Sequence, residues 1–151
     1  MQAGFRSQIF LPDEEATTHF GAKIAPYLNA GDCILLDGPI GSGKTHLARA
    51  IIRSRLGNTE EVPSPTYTLI QVYEDAQTEI WHSDLYRLTN TVDIIELGLE
   101  QAFDDAITLV EWPDRLPTPP EGALRIEFSQ KDEGRLLLLS SDSAHWSKLN
   151  V

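Results

Sequence analysis

The chain is short of cysteine, of basic residues and of long apolar runs, and each shortage removes a class of protein. Cysteine occurs once, at Cys33, so no disulfide can form within the chain. The four histidines, His19, His46, His82 and His145, do not stand at zinc-ligand spacing with it or with one another, which argues against a structural zinc. Lysine and arginine total 12 against 23 aspartates and glutamates, a formal net charge of −11. Such a chain as a whole repels a nucleic-acid backbone, and its few cations are not gathered into a patch. Any role with RNA is therefore expected to run through a partner protein. The longest apolar run, Leu136 to Leu139, falls far short of the roughly 18 residues that a membrane span needs, and Met1 to Ser7 holds no secretory apolar segment. A cytoplasmic location and no membrane contact are expected.

What is present suits a globular domain. The 151 residues, 41% hydrophobic and 23% charged, suffice for one domain over residues 1–151 that buries about 68–70% of its unfolded surface. The outstanding stretch is Gly38-Pro39-Ile40-Gly41-Ser42-Gly43-Lys44-Thr45, a complete G-x-x-x-x-G-K-[ST] phosphate-binding loop. Cys33-Ile34-Leu35-Leu36 before it reads as a buried strand, and Leu47, Ala48, Ala50, Ile51, Ile52 and Leu56 after it recur at helical spacing. Gly38, Gly41 and Gly43 let the backbone curl with its N–H groups inward around phosphate oxygens, at the positive end of the following helix. Lys44 can then reach the β- and γ-phosphates, and the Thr45 hydroxyl is placed to ligate Mg²⁺.

The other elements follow in order. Arg6 to Leu11 reads as a first strand, and Pro12-Asp13-Glu14-Glu15 opens a helix with acids favourable to its N-terminal dipole. Ala16, Phe20, Ile24 and Leu28 give that helix one apolar face up to a stop at Asn29-Ala30-Gly31. The second strand runs from about Asp32 to Asp37, and the second helix from Lys44 to about Leu56, where Gly57 ends it. Val62-Pro63-Ser64-Pro65-Thr66-Tyr67-Thr68-Leu69 stays extended ahead of a strand to about Tyr73. Short helices are expected over Val92 to Leu97 and Leu99 to Phe103, with Asp93, Glu96, Glu100, Asp104 and Asp105 as a solvated face. Leu124 to Phe128 and Arg135 to Ser140 read as antiparallel strands joined by Gln130 to Gly134, and Ser143 to Val151 as a short terminal helix or tail.

Two strands end in an acid. Thr78 to Asp84 is one and Ala106 to Glu111 the other, so both Asp84 and Glu111 are candidates for the carboxylate that holds Mg²⁺ directly or through water. His82 shares a strand face with Asp84 but could equally be a packed histidine. The Ser64-Pro65-Thr66 segment lies where nucleotide hydrolases place a switch whose hydroxyl senses the γ-phosphate.

Four motifs in this order make the chain resemble the TsaE family, formerly YjeE: Gly38 to Thr45; Ser64-Pro65-Thr66-Tyr67-Thr68-Leu69; His82-Ser83-Asp84-Leu85-Tyr86-Arg87-Leu88; and Leu109-Val110-Glu111-Trp112-Pro113. The first is shared by many families, whereas the other three together are specific. The resemblance implies a three-layer phosphate-loop α/β domain with a mainly parallel central sheet and antiparallel C-terminal strands. It implies an ATPase, using ATP and Mg²⁺, that works with TsaB and TsaD to make threonylcarbamoyladenosine on tRNA. Gly38, Gly41, Ser42, Gly43, Lys44, Thr45 and His46 would form the nucleotide-binding set, and Thr45 and Glu111 the Mg²⁺ site. Asp84, Glu111 and Thr66 would be catalytic, Asp84 as an outer metal group or water-orienting carboxylate and Thr66 in the switch. Trp112 would lie near the nucleotide, unless it is a buried core side chain. His46 departs from the second Thr common in the family, and Pro39 from an acidic residue, without removing a phosphate or metal contact.

A GTPase would need an Asn-Lys-x-Asp stretch and an Asp-x-x-Gly, and neither occurs. A small phosphate-loop kinase would need an arginine-rich lid, against which the few arginines after the loop count. A non-catalytic nucleotide-binding scaffold would bind ATP without turnover. No arginine finger is assignable: Arg49, Arg53, Arg87, Arg115 or a partner's arginine could serve.

Overall fold

The computed structural model describes residues 4–57, 62–63, 65 and 69–151. Seven strands form one sheet: β1 (Phe5–Leu11), β2 (Cys33–Asp37), β3 (Ile70–Glu74), β4 (Glu79–Asp84), β5 (Ile107–Glu111), β6 (Leu124–Lys131) and β7 (Gly134–Ser141). Their order across the sheet is β1-β7-β6-β2-β5-β4-β3. The middle four, β6, β2, β5 and β4, are mutually parallel, while β7, β1 and β3 extend the sheet by antiparallel pairing. The expected mainly parallel sheet with antiparallel C-terminal strands is therefore what forms, with β6 itself joining the parallel set.

Strand burial explains the layering. Every residue of β5 and the first four of β2 are buried, as befits parallel strands covered on both faces. Alternation then sends neighbouring side chains to opposite layers. Ile34, Leu36, Ile107 and Leu109 pack with Phe20, Ile24, Leu47 and Ile51 of the helices α1 (Glu14–Ile24) and α2 (Lys44–Leu56). Cys33, Leu35 and Val110 face the other way, against Ile94 and Leu99 of α3 (Thr91–Glu96) and α4 (Leu99–Asp105). The result is helix, sheet and helix. Between α1 and α2 the approach is close enough that a β-carbon on Gly21 would lie 2.5 Å from the Ala50 methyl. Among the described residues no helix is long and apolar enough to cross a membrane.

Local signals set the element ends. The Asp13 carboxylate accepts from the Ala16 N–H at 2.8 Å and caps α1, and Asn90 does the same for α3 at 2.9 Å through the Val92 N–H. The first helix stops earlier than its apolar spacing suggests. Pro26 has no N–H to continue the ladder, so Ala25–Tyr27 tightens into a 3₁₀ turn and the buried Leu28 is delivered by extended chain. The chain end forms the expected short terminal helix, while the hairpin differs from expectation. Ala144–Leu149 is a 3₁₀ turn, held by Asp32, which accepts from His145 Nε2 at 2.9 Å and Lys148 Nζ at 2.6 Å, and by the Trp146 indole N–H on the Gly122 carbonyl at 2.7 Å. The β6–β7 ladder runs on to Lys131 and Gly134, where only a short connection was left of the expected loop from Gln130 to Gly134. The acidic residues of α3 and α4 face solvent as expected.

Candidate functional site

Parallel strands bring their carboxyl ends to one edge, where ligands of open α/β sheets bind. Here that edge gathers Asp37, Asp84 and Glu111, the last two directly paired in the β4–β5 register. The glycine loop leaves β2 at this edge and enters α2. Its turn requires left-handed backbone at Gly41 and Gly43, with φ of 77° and 103°. At Gly38 space is also decisive, because a β-carbon would lie 2.9 Å from the Phe128 carbonyl and from Ser42 Oγ.

The loop, Asp84, Tyr86, Glu111 and Trp112 enclose a cavity of ≈ 400 Å³, a volume suited to a small ligand. Lys44 reaches into it along the loop, its ammonium donating to the Gly38 carbonyl and, at 3.1 Å, to the Pro39 carbonyl. The same nitrogen lies 4.0 Å above the Trp112 ring. Burial pulls the Lys44 pKa below the usual lysine value, against the opposing pull of the Glu111, Asp37 and Asp84 carboxylates.

Glu111 is the most tightly held acid. Its side chain is 3% exposed, shares the Thr45 hydroxyl proton between Oε1 and Oε2 at 2.8 and 3.0 Å, and meets His82 Nε2 at 2.7 Å. A carboxylate only accepts, so His82 presents its Nε2 proton to Glu111. His82 is fully buried, and its Nδ1 has no partner among the described residues. From the strand face that it shares with Asp84, His82 thus reaches across to the end of β5. Asp84, 6% exposed, accepts from the Tyr86 N–H at 2.9 Å. Its own N–H donates to the Leu69 carbonyl at 2.9 Å, and the Leu69 N–H to the Pro65 carbonyl at 2.6 Å, so Leu69, and through it Pro65, is tied to this acid's backbone. Thr66 itself lies outside the described residues.

Three oxygen-bearing side chains of the described residues meet at this edge: the Thr45 hydroxyl, the Glu111 carboxylate and the neighbouring Asp84. That set suits Mg²⁺, which is usually bound by one or two carboxylates together with phosphate oxygens. Among the described residues no cluster of three or more His, Cys, Asp or Glu could cage a metal alone. Ser42 Oγ, buried beside the loop without a partner among the described residues, is a hydroxyl still available to a ligand oxygen.

Other residues take places that the sequence left open. Trp112 is a wall of the cavity as well as a neighbour of the α3–α4 layer; its backbone is left-handed, φ 59°, and its ring meets Tyr86 at 4.8 Å. His46 lines the cavity, but its Nε2 contacts Thr18 Oγ1 at 2.9 Å and the Glu14 carbonyl at 3.1 Å, which ties it to α1. Arg49 donates to the Val62 carbonyl at 2.7 Å, and among the described residues no arginine lines the cavity. Tyr86, Ile40, Phe128 and Arg135 were not identified from sequence as site residues. Tyr86 stands two positions after Asp84, and Ile40 lies within the glycine loop itself, so both carried a local signal; Phe128 and Arg135 depend on tertiary pairing.

A buried parallel strand, a glycine turn, a Lys-Thr helix start and acids on adjacent strand ends define a phosphate-loop α/β protein, a class whose fold points to nucleotide binding. The structure agrees with a crystal structure of YdiB from Bacillus at a TM-score of 0.78, over 99% of this chain and 95% of that one, with 22% sequence identity. The chain belongs to the TsaE family: the model described as "Threonylcarbamoyl adenosine biosynthesis protein TsaE" matches residues 11–137. Among its relatives, the tRNA threonylcarbamoyladenosine biosynthesis protein TsaE of Rickettsia bellii is 41% identical over 117 residues, 75% of this chain and 81% of that protein. The protein of the same name from Synechocystis is 43% identical over 118 residues, 75% of this chain and 74% of its own.

Proposed function

We propose that the chain binds ATP with Mg²⁺ in the glycine loop and hydrolyses it, as the ATPase that works with TsaB and TsaD to form threonylcarbamoyladenosine on tRNA in the cytoplasm. Family membership supports the pathway. The observation that carries the chemistry is the Thr45–Glu111 contact of 2.8 Å beside the buried Lys44, at the mouth of the loop.

Each residue then has a task. Gly38, Gly41, Ser42 and Gly43 shape the turn whose amides hold phosphate oxygens, and Lys44 gives its ammonium to those oxygens in place of the Gly38 and Pro39 carbonyls. Thr45 and Glu111 hold Mg²⁺, which when bound offsets the charge of the phosphate oxygens. His82 keeps the Glu111 carboxylate turned toward Thr45. Asp84 orients the attacking water, and Thr66 belongs to the switch-like segment that follows the γ-phosphate. His46 closes the end of the nucleotide set against α1. Trp112 and Tyr86 supply the aromatic wall. The charge of −11 leaves tRNA to be bound by the partners.

Phosphate release is the test, measured on the purified chain alone and with TsaB and TsaD. The rate alone is expected to be slow, because no arginine of the described residues reaches the cavity. An arginine supplied from a partner raises turnover by about 10³–10⁵ in phosphate-loop enzymes, so even a fraction of that is visible. ATP binding without turnover in either mixture would instead favour the scaffold reading, and transfer to a small-molecule acceptor the kinase reading.

A further inference from the structure

A phosphate loop that turns amides inward turns carbonyl oxygens outward, and these need donors of their own. Two are taken by one side chain from far along the sequence. Arg135 Nε donates to the Ser42 carbonyl at 3.0 Å and its Nη2 to the Gly41 carbonyl at 3.1 Å, while Nη1 stays on Gly134 at 3.2 Å. Among the described residues no carboxylate pairs with this guanidinium, so its charge stands uncompensated behind the loop.

Topology makes the reach possible. β6 runs parallel to β2, with Glu127 opposite Asp37 where β2 ends. The remainder of β6, through Lys131, overhangs the glycine turn, and β7 starts back from Gly134. Phe128 of that overhang supplies the floor: besides its closeness to Gly38, its ring edge would lie 3.8 Å from a β-carbon on Gly43. Arg135, opposite Gln130, closes over the outer side.

The two carbonyls are not arbitrary. The Ser42 carbonyl belongs to the same peptide unit as the Gly43 N–H, and the Gly41 carbonyl to the unit whose Ser42 N–H closes the turn on Pro39 at 3.2 Å. A charged donor on a carbonyl polarises its peptide and strengthens the N–H of the same unit as a donor. Arg135 thereby fixes the curvature of the loop and sharpens the amides that it presents.

We propose that Arg135 is a positioning residue for phosphate binding, holding the loop in its binding shape before the ligand arrives. This rests on the nucleotide reading above. Calorimetry with ATP, and with inorganic tripolyphosphate, which has no base, tests it on the full chain. Arg135→Ala is expected to weaken both ligands by the same factor, about tenfold or more for two charge-assisted bonds. Arg135→Lys should recover part of the loss, since it keeps the charge with a single donor group. Turnover at saturating ATP with TsaB and TsaD should stay within about twofold, the signature of lost binding that is common to ground and transition states. A merely structural Arg135 would lower the thermal midpoint and leave both affinities of the folded protein unchanged, which would overturn the proposal. Should Arg135→Ala fail to fold, Arg135→Lys and Arg135→Gln decide: the proposal expects Gln to lose more affinity than Lys, and equal, undiminished affinities would refute it. Absence of ATP and tripolyphosphate binding by the unsubstituted chain would overturn the nucleotide reading and this inference together; normal binding by every Arg135 variant overturns this inference alone.

Discussion

Substituting Glu111 separates a metal ligand from a structural acid. The Glu111 carboxylate receives the Thr45 hydroxyl and His82 Nε2 in a nearly solvent-free setting. Glu111→Ala strands both donors, and a buried polar group left unpaired costs about 1–3 kcal/mol, or about 2–6 kcal/mol for the pair. Glu111→Gln is milder: its shape is kept, its oxygen can still accept from His82 Nε2 and its amide can donate to the Thr45 hydroxyl oxygen, so the loss is that of a charged acceptor, about 1–3 kcal/mol. For a chain of this size each kcal/mol moves the thermal midpoint by about 2–4 °C, which puts Glu111→Gln roughly 2–12 °C below the parent and still folded. If Glu111 holds Mg²⁺, removing its charge costs a charged contact worth about 1.5–3 kcal/mol, or roughly tenfold to a hundredfold in affinity for Mg²⁺-ATP. Metal-free ATP should be affected far less. Calorimetric titrations of Glu111→Gln with ATP, with and without Mg²⁺, read the two effects. A Mg²⁺ enhancement equal to that of the parent would refute the metal role and leave Glu111 as a buried acid that anchors Thr45 and His82.

Asp84→Ala should keep nucleotide affinity within a few-fold yet cut partner-stimulated turnover by about 10²-fold or more, the range for a positioned proton-accepting group; loss of Mg²⁺-ATP binding here instead would exchange the two carboxylate assignments. Burial pushes the Cys33 thiol up to about 12, so it should resist iodoacetamide near neutral pH until the chain is unfolded; rapid labelling of the native protein would contradict its placement in the core. Lys44, with its pKa lowered by burial, should shed its proton at a lower pH than an exposed lysine, so ATP affinity should fall as pH rises toward 10.5, before ordinary lysines titrate. The sign for stability is the reverse: burial disfavours the charged form, so that penalty is present below the folded pKa and relieved as pH rises through it. ATP affinity that stays flat up to the pH at which an exposed lysine titrates would argue against the ammonium's role.

The parts legible in sequence were those with short-range physical causes. The glycine turn, the helix behind it and the two acid-terminated strands are each written in one contiguous run, and the structure sets Asp84 beside Glu111 because both strands are parallel neighbours in the sheet. Pro26 was equally legible, yet the apolar spacing to Leu28 masked it: the position is buried, as periodicity implies, but the helix cannot continue through proline to reach it. The hairpin illustrates another limit. Gln130, Lys131, Asp132 and Glu133 look like a loop because they are polar, but ladder pairing needs no apolar side chains where strands overhang into solvent. That same overhang carries Phe128 and Arg135 to the glycine loop, and nothing local in the sequence marks either. His82 could be placed on its strand face but not given its partner, since the Glu111 contact crosses from one strand to the next.

The most direct measurement of the central claim is a calorimetric titration of ATP into the parent chain and into Lys44→Ala. The ammonium sits buried between the loop carbonyls and the Trp112 ring, and among the described residues no other lysine or arginine lines the cavity. Saturable binding by the parent and its loss in a folded Lys44→Ala is the predicted result. Equal ATP affinity in the two proteins would contradict the assignment of the glycine loop as the nucleotide site.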